Sequence, residues 1–391
     1  MVIRKISYYR VIVSLCLFMF LLSPVFGDEI SAVSFDKELP ENNIVTIQPD
    51  SLRILHNPLT GWVLYASMGV DAADFWAQYD HMYIPELGHN VSVTDYAHTL
   101  YIRASWTDFN PQEDVYGWKI DSNLRAYIEG AYQRNMRLAF RVVVDSRDKR
   151  TEFTPQFVKD AGAKGFMNKG KWSPYSDDPI FQKYYTKFVK TLAKDFNDPS
   201  KVEFIDGFGL GKWGEYHTMI YSTGDDTPKK AVFDWVTDIY SQAFDKVPVV
   251  INYHRWIGAG KDWVDDEHFA ADSEEMLEEA IKKGYSLRHD AFGMTTYYGS
   301  WERRFAKKYR NICPIIMEGG WIVKSHSYWQ DPRGYRKDSH EDVRRGEFDD
   351  SKEAHVNMMD FRFGDTEFWF KDAFDLVRRF LREGGYRLYP S

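Results

Sequence analysis

Short apolar runs alternate with amphipathic stretches along most of this chain, and that alternation constrains the fold more than any single motif. The strand-like runs are Gly61–Ala66, Thr99–Ala104, Arg137–Val144, Val202–Gly209, Pro248–Tyr253, Ala291–Thr296 and Pro314–Met317, with a weaker eighth around His355–Phe361. Between them apolar residues recur at helical spacing. Leu124, Tyr127, Ile128 and Ala131 follow Asp121 as N-cap, and Phe181, Tyr184, Phe188 and Leu192 follow the Asp178-Pro179 start. Leu277, Ala280, Ile281 and Tyr285 follow Ser273 as a further cap, and Phe370, Phe374, Val377 and Leu381 form a last stripe that stops at Gly384-Gly385. Strand and helix in succession imply a parallel α/β sheet. Eight such units in about 340 residues predict a (β/α)8 TIM barrel with long loops at its C-terminal face. A doubly wound sheet would need a glycine-rich phosphate turn after its first strand, whereas Tyr65 runs into Ala66-Ser67-Met68.

The segment before the barrel reads differently. Arg4, Lys5 and Arg10 precede an apolar stretch from Val11 to Leu22, then Ser23-Pro24-Val25-Phe26-Gly27. This predicts a secretory signal over 1–27, cleaved near Gly27, and an exported protein, periplasmic or extracellular. The apolar stretch is short for a membrane span, so no stable insertion is expected after cleavage. Leu15 before Cys16 argues against a lipoprotein signal. Residues 28–50 are polar and aperiodic and read as a linker, leaving 51–391 for the barrel. Only Cys313 then remains, in an apolar run where it serves as a small core residue.

Composition narrows the partners. A net charge of −8 without a basic stripe points away from nucleic acid. Thirteen Trp, 25 Tyr and 27 Phe suit a carbohydrate binder, and equally a large core. His326 stands alone and there is no His-Glu-x-x-His, so no metal is expected. Neither a phosphate-binding glycine loop nor a Gly-x-Ser-x-Gly elbow is present, and no cofactor is expected.

Barrel enzymes place their chemistry at the C-terminal ends of the strands. Glu215, in Gly211-Lys212-Trp213-Gly214-Glu215-Tyr216-His217, follows the fourth candidate strand. Glu318, in Met317-Glu318-Gly319-Gly320-Trp321, ends the seventh. Carboxylates there face each other across the mouth, the arrangement that glycosidic-bond hydrolysis requires. In a retaining mechanism they would stand about 5–5.5 Å apart, with Glu215 as acid/base and Glu318 as nucleophile. Arg103, near the end of strand two, is placed to bond Glu318 and keep it ionised. Arg141, inside an apolar run, is expected to face the polar mouth. Asn252 and His254 end strand five, and Tyr297 and Tyr298 follow strand six, where they are candidate site residues or plain packing. Trp106, Trp213, Trp301 and Trp321 are candidate sugar platforms, and His217 a candidate substrate contact. Asp290, at the start of the sixth candidate strand, falls at the barrel bottom with a structural role.

The segment Trp106-Thr107-Asp108-Phe109-Asn110-Pro111 through Gly117-Trp118-Lys119-Ile120-Asp121 resembles the "W…EP…G-x-Y-x-W…L-D" segment of clan A glycoside hydrolases, notably β-galactosidase-like barrels. That resemblance implies an acid/base glutamate after strand four, a nucleophile glutamate on strand seven and a tyrosine after strand six, Tyr297 or Tyr298, that holds the nucleophile. Asn57-Pro58-Leu59-Thr60-Gly61-Trp62, the Gly211–His217 segment and Gly385-Tyr386-Arg387 are similar to a family of secreted bacterial barrel proteins known mainly as a domain of unknown function, over about 45–391. Two positions depart from the clan: Gly214 replaces the Asn that precedes the acid/base, and Asn110 replaces the Glu before Pro111. The expected function is therefore an exported glycoside hydrolase acting on a polysaccharide or oligosaccharide. A non-catalytic carbohydrate-binding barrel is the alternative that Gly214 raises. An inverting hydrolase or a lyase on an acidic glycan is the alternative raised by Arg103, Arg141 and Arg288.

Overall fold

The computed structural model describes residues 57–147, 151–261, 267–293, 297–320, 340–362 and 364–385. The expected signal and linker lie outside them, as do Trp321 and His326. The chain divides into Met1–Asp50 and Ser51–Ser391, and the second unit carries the fold.

Eight parallel strands close into a barrel: β1 (Gly61–Tyr65), β2 (Ala97–Ser105), β3 (Arg137–Val143), β4 (Val202–Asp206), β5 (Val249–Asn252), β6 (Ser286–Phe292), β7 (Ile315–Gly319) and β8 (Met358–Asp360). Each pairs with its sequence neighbours and β1 closes on β8, with Gly61 opposite Met358. This is the predicted (β/α)8 architecture. The sixth strand differs from expectation, starting at Ser286 and ending at Phe292, where the apolar run had suggested Ala291–Thr296.

Helices cover the outside for the reasons their sequences give. In Pro179–Phe196, Asp178 Oδ1 accepts from the Ile180 and Phe181 amides at 3.0 and 2.9 Å. Pro179 starts the helix, and Phe181, Tyr185, Phe188, Val189 and Leu192 are buried, each worth about 1.5–3 kcal/mol against exposure. Ser273 is not a cap. It lies within the helix Glu267–Lys282, and its Oγ accepts from the Ile257 amide at 2.9 Å. The last stripe breaks into Thr366–Asp372 and Phe374–Glu383 at Ala373, whose backbone leaves the helical region. Cys313 is half-buried, and burial pushes its thiol up to about 11, which leaves it inert.

The period-2 alternation of the strands positions the site. Outward residues such as Leu64, Ile102, Phe140, Ile205, Ile251, Leu287 and Met317 join the core beneath the helices. Inward, Val63, Tyr101, Ala139, Phe204, Val250, Ile316 and Met358 form a second, interior cluster. Two residues further along those seven strands stand Tyr65, Arg103, Arg141, Asp206, Asn252, Glu318 and Asp360. On β6 the corresponding inward pair is Arg288 and Asp290. On the other seven strands an apolar barrel floor thus gives way, in one step, to a mouth of polar atoms.

Candidate active site

The mouth is held by a chain of ion pairs. Arg288 Nη2 donates to Glu318 Oε2 at 2.6 Å and to Asp360 Oδ2 at 3.2 Å, and its Nε donates to Asp290 Oδ1 at 2.7 Å. Arg141 Nη1 donates to Asp290 Oδ2 at 2.5 Å and its Nε to Asp206 Oδ2 at 2.7 Å. Arg141 Nη1 also lies 3.7 Å from Glu215 Oε1. The path Glu318, Arg288, Asp290, Arg141, Glu215 therefore runs unbroken between the two glutamates. Both arginine side chains are fully buried, where a charge is tolerated only with partners on several sides. Arg288 also stacks on the Tyr101 ring, 4.5 Å from its centroid, and the Tyr101 hydroxyl donates to Asp206 at 2.5 Å.

Glu215 sits on a tightly wound loop after β4. Trp213, Tyr216 and Thr218 all adopt positive φ, as do Gly209, Gly211 and Gly214. Such crowding of the left-handed region marks a loop held in shape by its surroundings. A Cβ at Gly209 would come within 2.0 Å of the Val142 carbonyl, so only glycine fits. Gly214 has φ +74° and lies against Arg141, where a Cβ would stand 3.4 Å from Cδ. Arg103 Nη2 donates to the Trp213 carbonyl at 2.6 Å and to Glu215 Oε1 at 3.2 Å. His254 Nε2 donates to the Glu215 carbonyl at 2.8 Å, a tautomer set by the Trp256 amide donating to Nδ1. His217 Nε2 lies 3.4 Å from Glu215 Oε2.

Several expected roles change with this geometry. Arg103 bonds Glu215, and Glu318 is bonded by Arg288. Asp290 lies near the C-terminal end of β6, in the mouth, because the strand begins earlier than its apolar residues suggested. Arg141 faces the mouth region as expected, but it is fully buried against protein carboxylates and presents nothing to a substrate. Arg288 is engaged in the same way, so neither guanidinium favours an acidic glycan. Trp106 is no platform: it is fully buried among Phe157, Phe181, Tyr185 and Phe188. Trp301 is buried and stacked on Phe305. Tyr298 is buried on Phe292 and takes a hydrogen bond from Tyr253, so it does not hold Glu318.

A cleft opens beside Glu215, lined by His217, Asn252, His254, Trp256, His289, Asp290, Ala291 and Tyr297. Asn252 Nδ2 donates to Asp290 Oδ2 at 3.3 Å. Tyr297 and Trp213 are half-buried. Glu318 does not line this cleft, and its side chain is 7% exposed at the end of β7. The residues that the sequence reading passed over are Asp206, Asp360 and Trp256, together with Asp290 and Arg288 in their actual places. The first two carried a readable signal, a carboxylate two residues past an inward apolar residue at a strand end.

Electrostatics separates the acids. Burial, together with Asp290 and Asp360 nearby, pushes the Glu318 carboxyl up to about 8 despite Arg288 and Arg103. Burial likewise raises Asp360 to about 6, with Arg288 opposing. Burial would raise Asp290 too, but Arg141 and Arg288 outweigh it and hold that carboxyl well below the usual range. Burial and the neighbouring His217 keep His254 neutral, as its role as a one-proton donor to Glu215 requires. Among the described residues, no group of three or more His, Cys, Asp or Glu side chains is arranged to hold a metal ion. No helix of the described residues is long and apolar enough to cross a membrane.

No family model and no curated protein sequence matches the chain. Solved structures with a similar chain path include an endo-1,4-β-xylanase from Caldicellulosiruptor owensensis, 11% identical with a TM-score of 0.43 over 77% of this chain and 84% of that one. Another is the xylanase XynB from Paenibacillus barcinonensis, at 7%, 0.45, 77% and 83%. A third is the endo-glycoceramidase II from Rhodococcus sp., at 13%, 0.46, 82% and 78%. These neighbours are glycoside hydrolases, but at such identities and scores the likeness carries no argument about what this chain does.

Proposed function

We propose that the protein is an exported glycoside hydrolase that cleaves a polysaccharide or oligosaccharide with Glu215 and Glu318 as its two reacting carboxylates. The observation that carries this reading is the unbroken ion-pair path joining the two side chains at the C-terminal mouth of one barrel. A structural salt bridge needs two partners. Here fully buried arginines and an aspartate are spent on holding two glutamates that each keep an edge toward solvent, 14% for Glu215 and 7% for Glu318. Export is supported by the basic and apolar N-terminal segments.

In the leading assignment Glu215, on its loop, is the acid/base that protonates the leaving oxygen, and Glu318, at the strand end, attacks the anomeric carbon. The half-buried Tyr297 and Trp213 offer ring faces or edges to a sugar, and His217 and Asn252 offer polar contacts. A second assignment exchanges the two roles, and the raised Glu318 carboxyl favours it, since a group protonated at neutral pH is suited to be the acid. Glu215→Gln and Glu318→Gln should each reduce turnover of a cleaved oligosaccharide by about 100-fold to 10,000-fold while leaving the fold intact. Retention of activity in either variant would remove the two-carboxylate reading. The anomer released, followed by NMR, separates retention from inversion.

A further inference from the structure

We infer that Arg288 and Asp290 together position Glu318, with Arg288 as the clamp on its Oε2 and Asp290 as the counter-charge that limits how much of that cation Glu318 receives. This rests on the reading of Glu318 as a reacting carboxylate, and it departs from the expectation that the β2 arginine would hold that residue.

Arg288 is the inward residue of β6 that pairs with Ile316 of β7 on one side and with Asn252 of β5 on the other, so it stands where the apolar interior meets the polar mouth, and Glu318 lies one inward step beyond Ile316. A guanidinium there is an unusual neighbour for an interior cluster that includes Tyr101, Phe204, Val250 and Ile316. It is retained there with every strand-end acid of the β6 to β8 arc around it: Asp290, Glu318 and Asp360 by hydrogen bond, and also Asp206 Oδ2 of β4 at 3.6 Å. The side chain is fully buried, with its guanidinium carbon over the Tyr101 ring, 4.5 Å from the centroid.

Asp290 completes the device. It splits Arg288 with Glu318, and it is itself bridged to Arg141, which reaches Glu215. Among the described residues, the charged and titratable groups that face Glu318 are Tyr65 from β1, Arg103 from β2, Arg288 and Asp290 from β6 and Asp360 from β8. From the helix His340–Glu353, Glu347, paired with Arg344, packs on the Gly319 backbone. Among these, Asp290 and Arg288 act on Glu318 in opposite senses through one shared guanidinium. Removing the aspartate should release the cation to Glu318, and removing the cation should leave Glu318 facing acids.

The test is a carboxyl titration that needs no substrate. With 13C-labelled glutamate side chains, the Glu318 resonance is identified by its loss in Glu318→Gln and followed against pH in the wild type, Asp290→Asn and Arg288→Met. The inference expects the Glu318 midpoint to fall by about 1 pH unit or more in Asp290→Asn and to rise in Arg288→Met. A midpoint unchanged or raised in Asp290→Asn overturns it, as does a shift in the same direction for both variants. Should Arg288→Met fail to fold, the direction in Asp290→Asn decides alone. Full activity of Glu318→Gln would remove the functional reading while leaving this titration interpretable, so the two failures are distinct.

Discussion

Arg288 donates to Glu318 at 2.6 Å from the inward position of β6 that pairs with Ile316 of β7 and Asn252 of β5. This pairing replaces the more obvious one, Arg103 with Glu318. Arg103 is occupied by Glu215 and by the carbonyl of Trp213. Each glutamate has its own arginine, and Asp290 and Arg141 tie the two sets together.

The pH dependence of kcat/KM distinguishes the two role assignments. With Glu318 as nucleophile, only the ionised form reacts, so activity should rise as pH increases toward about 8, the value to which burial and the neighbouring acids push it. With Glu318 as the acid, the limb at the same pH should fall instead. A profile flat across that range, on a confirmed substrate, would show that Glu318 does not titrate in the reaction.

Stability should decline as pH rises. The folded-state values of Glu318 (about 8, from 4.5), Glu347 (about 7, from 4.5) and Asp360 (about 6, from 3.8) all lie above their ordinary ones. Each contributes stability that is complete below the unfolded value and lost as pH rises through the folded one. Asp290 acts oppositely, contributing above its ordinary 3.8 and losing that contribution in acid. The Tm should therefore drop between about pH 4.5 and 8, and Glu318→Gln should flatten the upper part of that drop. A Tm that climbs over the same range would contradict the charge assignment.

Trp106 and Tyr297 should respond in opposite ways to truncation. Trp106→Ala removes an indole enclosed by Phe157, Phe181, Tyr185 and Phe188, and should cost about 3–5 kcal/mol of stability without raising KM. Tyr297→Ala, on the rim of the cleft, should raise KM with little change in Tm. Denaturant unfolding and steady-state kinetics on both variants check the contrast.

His254→Ala should weaken catalysis without touching a reacting atom. It deletes the donor to the Glu215 carbonyl, on a loop that already holds three non-glycine residues at positive φ. Loosening that loop should lower kcat by about 100-fold. A kcat equal to wild type would show that Arg103 and Arg141 suffice to place Glu215.

The barrel was legible because its outward-facing strand residues are apolar and its helices carry clean stripes. The strand-end positions of Glu215 and Glu318 followed from that. What stayed hidden came from the inward face. In Ser286-Leu287-Arg288-His289-Asp290-Ala291-Phe292 the inward residues are Arg288 and Asp290, so the run lacks the apolar continuity of a buried parallel strand and seemed to begin at Ala291. That single shift put Asp290 at the wrong end of the barrel and made Arg288 look irrelevant. Trp106 misled for the converse reason: it follows a strand end, but its side chain turns outward beneath a helix.

The most direct test of the central claim is to incubate the wild type, Glu215→Gln and Glu318→Gln with a diverse oligosaccharide library and read products by mass. The wild type should cleave at least one glycan, and both variants, folded by circular dichroism, should lose that cleavage. A wild type that binds a glycan but cleaves none, or a variant that cleaves at the wild-type rate, would contradict it.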